Sequence, residues 1–379
     1  MKYIELRKIL ENFPKYPGTK KVKPASVVNK GFPGKFNLSF SEPDQIKEFN
    51  SLLNYDHDFI FTKIQPVIRH EDFSNEIIPA TTKYKDYLSL FDMSDITSGI
   101  TLHNNSKLEK VVKFITESTW NFFIKEMGFD PNKLYVKVFA GGSVEKVSQS
   151  KYLIKKDIKP DELSIKEWQK LGLKKSNLIF DKTRDTLLTL HVGQPTPWGY
   201  RCEILFDVDI NDKKELLDIG TTEFFYWRPI FENDEIVNIK NWESLFALSV
   251  VGVERILMAK NKFRRIIECD HIYPLYQKIL KDSSKKDEHK ITILTEAIRT
   301  THRVLTDCKA YSNLSVHRKK ILAKYIQQIN RCLKELDISQ DKIKNYLKLN
   351  AKLQSVYPEL SKSINSVNEE ILDALRRRS

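Results

Sequence analysis

The order in which strand-like and helix-like segments follow one another constrains this chain most, because its two halves carry different periodicities. Before residue 268 the apolar segments are mostly short runs rich in β-branched and aromatic residues: Phe59–Arg69, Tyr84–Met93, Leu134–Ala140, Glu203–Asp207, Phe224–Arg228 and Leu248–Val251. One long amphipathic helix stands among them, Ser106–Met127, with Leu108, Val111, Val112, Ile115, Phe122 and Phe123 on one face. Ser106 with Glu109 forms a capping box at its start, and Gly128 can close its end. Strands that follow one another with so few helices between them predict an antiparallel α+β domain rather than a doubly wound parallel sheet. After residue 269 the strand pattern ends and helices follow one another, at Thr292–Leu305, Val316–Leu336, Asp341–Leu353 and Ser361–Arg378. Residues 1–268 are therefore expected to form an antiparallel sheet flanked by helices, and residues 269–379 an all-helical domain. A short amphipathic helix and a Pro/Gly/Lys linker occupy residues 1–25, and residues 144–178 read as an inserted segment with a helix starting near Ser164–Trp168.

At 379 residues, two domains are the default expectation. The chain has 63 Lys+Arg against 50 Asp+Glu, a formal charge of +13, which favours a polyanionic partner: nucleic acid first, an acidic membrane surface second. Lysine excess also serves solubility, so charge alone does not establish a partner. Cys202, Cys269, Cys308 and Cys332 lie far apart, without a Cys-x-x-Cys pair. They imply neither a disulfide framework nor a zinc knuckle and fit a reducing compartment, hence a cytoplasmic protein. No apolar run approaches the ~20 residues of a membrane span, and Met1–Asn12 lacks the apolar centre of a signal peptide.

Three segments carry chemistry. Leu248–Ala259 runs as an apolar strand, turns at Gly252 and continues as a helix with Arg255 in its first turn. Helix-terminal N–H groups and a guanidinium at one point suit a polyphosphate, although a buried strand leading into a core helix explains the same pattern. Phe59–Arg69 and the strand returning to Met93 form a hairpin that presents Arg69 beside the acidic loop His70–Asn75. Glu203 and Asp207 lie on one strand behind a Gly/Pro loop, where a buried acid needs a cation or a partner.

In this order, these segments resemble alanyl-tRNA synthetase, a class II aminoacyl-tRNA synthetase. Gln65-Pro66-Val67-Ile68-Arg69 is similar to the start of that family's motif 2, and Leu134–Gly141 to its Leu-Tyr-Val-Thr-Val-Phe strand. Thr196–Asp207 keeps Pro197, Gly199, Glu203, Ile204 and Asp207 of a Gly/Pro/Cys-rich motif, and Gly252-Val253-Glu254-Arg255 resembles the Gly-Leu-Glu-Arg of motif 3. Glu296–Arg299, Ser312-Asn313 and Tyr357–Leu360 extend the likeness, which covers residues 60–379 and stops where an editing domain would begin.

The resemblance implies ATP-dependent activation of an amino acid and its transfer to tRNA, with ATP and Mg²⁺ as cofactors and a homodimer as the family's usual assembly. It assigns Arg69 and Arg255 to catalysis, and Arg69, Asp72, Lys83, Gly252, Glu254 and Arg255 to ATP. The amino-acid pocket falls to Leu188, Glu203, Thr221, Glu223 and Leu248, and Mg²⁺ to Glu203 and Asp207. The acceptor stem of tRNA falls to Arg299, Asn313, Arg318, Lys319 and Lys320. The amino-acid half departs from the family. Leu248 stands where an aspartate anchors the substrate ammonium, Gly220–Phe224 replaces the Trp-Asn-Leu-Val-Phe strand, and Ser89 and Lys83 replace a glutamate and an arginine. Losing the aspartate removes a charge-assisted contact of about 2–3 kcal/mol; Glu223 is the candidate to restore it from another strand. Two alternatives remain open: a biosynthetic adenylating ligase with a non-tRNA acceptor, and a non-catalytic tRNA-binding paralogue.

Overall fold

The computed structural model describes residues 1–13, 19–21, 23–24, 26–28, 59–69, 88–101, 105–143, 157–183, 185–189, 198–210, 213–232 and 235–377. Its centre is a nine-stranded sheet built from β1 (Lys20–Lys21), β2 (Phe59–Ile68), β3 (Leu90–Thr101), β4 (Leu134–Phe139), β7 (Leu178–Asp181), β8 (Leu187–Thr189), β9 (Trp198–Ile210), β10 (Lys213–Glu232) and β11 (Glu235–Gly252). The order is β1-β2-β3-β11-β10-β9-β4-β7, with β8 also on β9; β1/β2 and β4/β7 are parallel and every other pair is antiparallel. A separate ribbon joins β5 (Gly142–Ser143) to β6 (Asp157–Ile158). The expected α+β class is what the chain adopts.

Alternation along the strands separates two faces. One face carries Cys202, Ile204, Phe224, Ala247 and Ser249, and is covered by α2 (Asn105–Asn121) and α3 (Glu162–Lys170). Val111, Val112 and Ile115 of α2 pack against Phe224 and Ala247, and Thr119 Oγ1 donates to Ser249 Oγ over 2.7 Å. The helix expected over Ser106–Met127 is α-helical to Asn121 and finishes in a π turn, Phe122–Glu126; Gly128, at φ +62°, takes the left-handed conformation that ends it.

The C-terminal helices are α4 (Val253–Asn261), α5 (Tyr273–Asp282), α6 (Glu288–Cys308), α7 (Val316–Glu335), α8 (Lys342–Leu353) and α9 (Pro358–Arg376); α1 (Tyr3–Glu11) packs beside α4. Helix α6 is the hub, with both its polar and apolar side chains buried from Ile291 to Leu305. One apolar core runs without a break from Ile64 and Val136 in the sheet through Ile256 to Ile298, Leu322 and Tyr346 in the helices, across the expected division at residue 268. The four cysteines are buried and unpaired.

Candidate active site

Register brings together residues that lie far apart in sequence. On the face opposite α2 and α3, Lys137, Glu203 and Thr221 pair across β4, β9 and β10, and one row on Arg201, Glu223 and Leu248 pair across β9, β10 and β11. Directly paired residues share a face, so three of the predicted pocket residues, Thr221, Glu223 and Leu248, stand with Glu203 on one surface.

The charges on that surface form a chain. Asp185 approaches Lys137 at 3.6 Å, Lys137 bonds Glu203 at 2.5 Å, Arg201 approaches Glu203 at 3.8 Å, and Arg201 meets Glu223 at 3.5 Å. Glu223 also accepts from Thr221 Oγ1 at 3.2 Å. Burial raises the carboxyl pKa values of both Glu203 and Glu223, with Arg201 opposing it in each case. Burial works against the charge on Lys137 and Arg201, but their carboxylate neighbours outweigh it and hold both above their ordinary values. The chain has two cations and three carboxylates. The surplus negative charge fits a ligand ammonium.

Gly199 makes this packing possible. A side chain there would place its Cβ 1.6 Å from the Phe224 carbonyl oxygen, so only glycine lets β9 approach β10 at this row. Leu188 pairs with Gly199 through the backbone, and its side chain lies outside the described residues.

Helix α4 begins at the end of β11. Gly252 is its N-cap, with φ −84° and no side chain to cap the first turn. Arg255 reaches back over the sheet, its Nη1 donating to Asp218 Oδ2 at 2.6 Å and to the Asp218 carbonyl at 3.0 Å. Asp218 pairs with Leu205, two residues beyond Glu203 on β9, so Arg255 adjoins the charge chain. Arg69 follows β2 at the same end of the sheet, where its N–H bonds the Ser89 carbonyl at 2.9 Å. Asp72 and Lys83 lie outside the described residues.

Several expectations are corrected by these placements. Glu254 does not face the side of α4 that carries Arg255. It is 2% exposed, accepts from the Asp92 N–H and contacts His271 Nε2 at 3.1 Å. Burial and the nearby Asp92 push its pKa up to about 8. Helical periodicity explains the reversal, since adjacent residues on α4 point about 100° apart and Arg255 takes the open side. Glu203 and Asp207 share a face of β9 but are four residues apart, about 13 Å at the strand rise. They cannot hold one Mg²⁺, and Glu203 is already bonded to Lys137. Among the described residues no cluster of three or more acidic, histidine or cysteine side chains could hold a metal.

The expected RNA contacts also divide. Arg299 is 1% exposed, bonds Glu296 at 2.5 Å and donates to the Leu90 carbonyl at 3.2 Å. It ties α6 to β3 and cannot reach a phosphate. Arg318 is buried at 4%. Lys319 is half-buried with its ammonium 6.0 Å from the Tyr311 ring centre, whereas Asn313 and Lys320 are exposed.

Sequence reasoning missed Lys137, Arg201 and Asp218 as site residues. Charged residues at alternate strand positions read as a solvated face, and only cross-strand register shows that these converge. The signal available was the alternation Arg201-Cys202-Glu203, in which charges flank a residue with an apolar character.

A mainly antiparallel sheet with a charged, partly buried face and an arginine-bearing helix starting at the end of a central strand is the class of scaffold defined here, one suited to an anionic ligand beside an ammonium group. Comparison with known proteins adds likenesses of fold. No family profile matches the chain, and no curated protein matches it. Solved structures similar to it include apo histidyl-tRNA synthetase from S. aureus, with TM-score 0.36, 11% identity, and 74% of each chain covered. Another, described as a threonyl-tRNA synthetase from Aeropyrum pernix, gives TM-score 0.42 and 11% identity over 78% of this chain and 68% of that one. A pyrrolysyl-tRNA synthetase from Desulfitobacterium hafniense gives 0.33 and 11% over 70% and 71%.

Proposed function

We propose that the protein uses ATP to activate an amino acid as its adenylate and passes the aminoacyl group to tRNA. One observation carries the reading: Arg255, in the first turn of α4, lies over the same sheet face as the Arg201–Glu203–Glu223 charge chain. In such a reaction the substrate carboxylate attacks the α-phosphorus and expels pyrophosphate. The nucleophile is already ionised at neutral pH, so positioning and charge neutralisation carry the step. Arg255, with Arg69 at the same sheet end, neutralises phosphate charge. Glu223, opposite Leu248 in the register, takes the substrate ammonium in place of the family's aspartate. Thr221 and Leu248 leave a small, mixed polar and apolar wall, which suits alanine or another small amino acid.

Amino-acid-dependent exchange of pyrophosphate into ATP, run across a panel of amino acids, tests the activation step. Exchange that disappears in Arg255→Ala supports it, and absence of exchange with every amino acid overturns it. Charging of total tRNA then separates a tRNA ligase from a ligase with another acceptor.

A second reading, a non-catalytic tRNA-binding protein, is favoured by one observation. Arg255 and Arg201 are both engaged by the protein's own carboxylates. It predicts tRNA binding without exchange.

A further inference from the structure

The solvent side of α8 carries a stripe of lysines with no acidic residue on the helix. Lys344, Lys348 and Lys352 are exposed at spacings of four residues. On three other helices an exposed cation pairs with an acid of its own helix, as in Lys170–Glu167, Lys278–Asp282 and Arg376–Asp373. Like charges four residues apart destabilise a helix. The α8 stripe carries two such pairs and has no carboxylate partner within 4.0 Å among the described residues. A face that retains this cost is suited to an anion from outside.

The opposite side of α8 fixes where the stripe points. Asn350 and Gln354 line a small cavity together with Pro66, Asp92, Glu254 and Tyr357. The C-terminal end of α8 thus abuts the ends of β2 and β3 beside α4, the sheet end that bears Arg69 and Arg255. Buried at 5% or less, Asn350 Oδ1 and Gln354 Nε2 have no hydrogen-bond partner there, which leaves them for buried water.

We infer that Lys344, Lys348 and Lys352 form a track for the phosphodiester backbone of RNA, leading toward the adenylating site. The inference rests on the RNA-transfer half of the proposed function. The three lysines span about 12 Å of helix, two steps of four residues at 1.5 Å. B-form DNA offers one phosphate per about 3.4 Å of axis on each strand and A-form RNA spaces them more closely, so at least about three phosphates of one strand stand opposite the stripe. No exposed large apolar side chain lies on α8, so the face has nothing to insert into a lipid surface. Lysines without a fork of fixed donors read charge rather than bases, so the track positions RNA and leaves sequence selection to other contacts.

Binding of labelled total tRNA to the full chain, measured by fluorescence anisotropy between 50 and 300 mM KCl as conditions of about physiological salt and its surroundings, tests this. In Lys344→Gln/Lys348→Gln/Lys352→Gln the slope of log affinity against log salt should fall by about 3, and affinity at moderate salt by about tenfold or more. Matched substitutions at the exposed Lys125, Lys133 and Lys174 should leave the slope nearly unchanged. The single variant Lys348→Glu should weaken RNA binding while holding or raising the melting temperature, because it converts two repulsive pairs into attractive ones. An unchanged slope in the triple variant, or an equal loss in the matched control, overturns the track. So does loss of binding to phosphatidylserine vesicles with tRNA binding intact. Pyrophosphate exchange needs no RNA and should survive all these changes. A wild-type chain that binds tRNA through these lysines but lacks exchange would sink the proposed function and leave the track standing.

Discussion

Arg255 and Asp218 join a helix that begins after β11 to the first part of β10, with the guanidinium bonding both the carboxylate and the carbonyl of one residue. This two-point attachment sets the direction of Arg255 over the charged sheet face. In Asp218→Ala the guanidinium loses its anchor and its geometry. Exchange activity should fall by about tenfold or more, since misplacing one phosphate-neutralising group costs a few kcal/mol of transition-state stabilisation. Thermal stability should change little, because the pair is partly exposed and such pairs contribute about 0–1 kcal/mol. Parallel melting and exchange measurements check the split.

Glu223 stands opposite Leu248, whose side chain offers an ammonium nothing but desolvation. If Glu223 carries the substrate ammonium, Glu223→Gln should raise KM for the amino acid by about 30–100-fold, equivalent to about 2–3 kcal/mol. KM for ATP should stay within about twofold. Equal rises in both constants would show a general collapse of the charge chain instead.

Two glycines should respond oppositely to alanine. At Gly199 the added Cβ lies 1.6 Å from a backbone oxygen, so Gly199→Ala should prevent or severely weaken folding. At Gly252 the nearest atom is the Arg255 side chain at 3.6 Å, an ordinary contact, and the backbone is extended. Gly252→Ala should therefore fold with melting close to the parent, and any loss of exchange will report the methyl group beside Arg255. Chemical denaturation of both variants, with exchange on the second, decides this.

Arg299→Ala should cost about 3–5 kcal/mol, because it strands Glu296 as an unpaired carboxylate inside the protein. The salt dependence of tRNA binding at a temperature where the variant stays folded should match the parent. A reduced slope would place Arg299 on the RNA after all.

Buried titrating groups predict how stability depends on pH. His302 is held as a neutral ring between the Leu360 carbonyl and Asn350 Nδ2, and burial lowers its pKa from 6.5 to about 4; burial likewise lowers that of His271 to about 3. The contributions of these two rings are complete above pH 6.5 and are lost as pH falls toward 4 and 3. Glu254 has the opposite sign. Its pKa is raised from 4.5 to about 8, so its contribution is complete below pH 4.5 and disappears as pH rises through 8. Urea-unfolding free energies should decline above pH 6.5, and Glu254→Gln should flatten that decline. A decline unaltered by the substitution would refute the assignment.

Much of the secondary structure was legible in the chain, for reasons that differ by element. Leu248–Val251, Gly252 and the helix after it announce themselves by a change of period, as do Leu134–Phe139 and α2. The start of β10 (Lys213–Asp218) and the end of β3 (Ser94–Thr101) were missed, because polar residues on both faces erase the apolar alternation. For the returning strand expected over Tyr84–Met93, positions 84–87 lie outside the described residues.

By itself, the sequence determined the α+β class, the succession of strands and helices, and the position of Arg255 in the first turn of a helix. These depend on period and on residues adjacent in the chain. Tertiary structure alone decided that Glu254 turns inward while Arg255 turns to the sheet, that Arg299 is a buried tie, and that Lys137, Arg201 and Asp218 join Glu203 and Glu223. Each of those outcomes depends on strand register and helix rotation, which bring together residues tens to hundreds of positions apart; a charged side chain looks the same in sequence whether it meets water, a buried partner or a ligand.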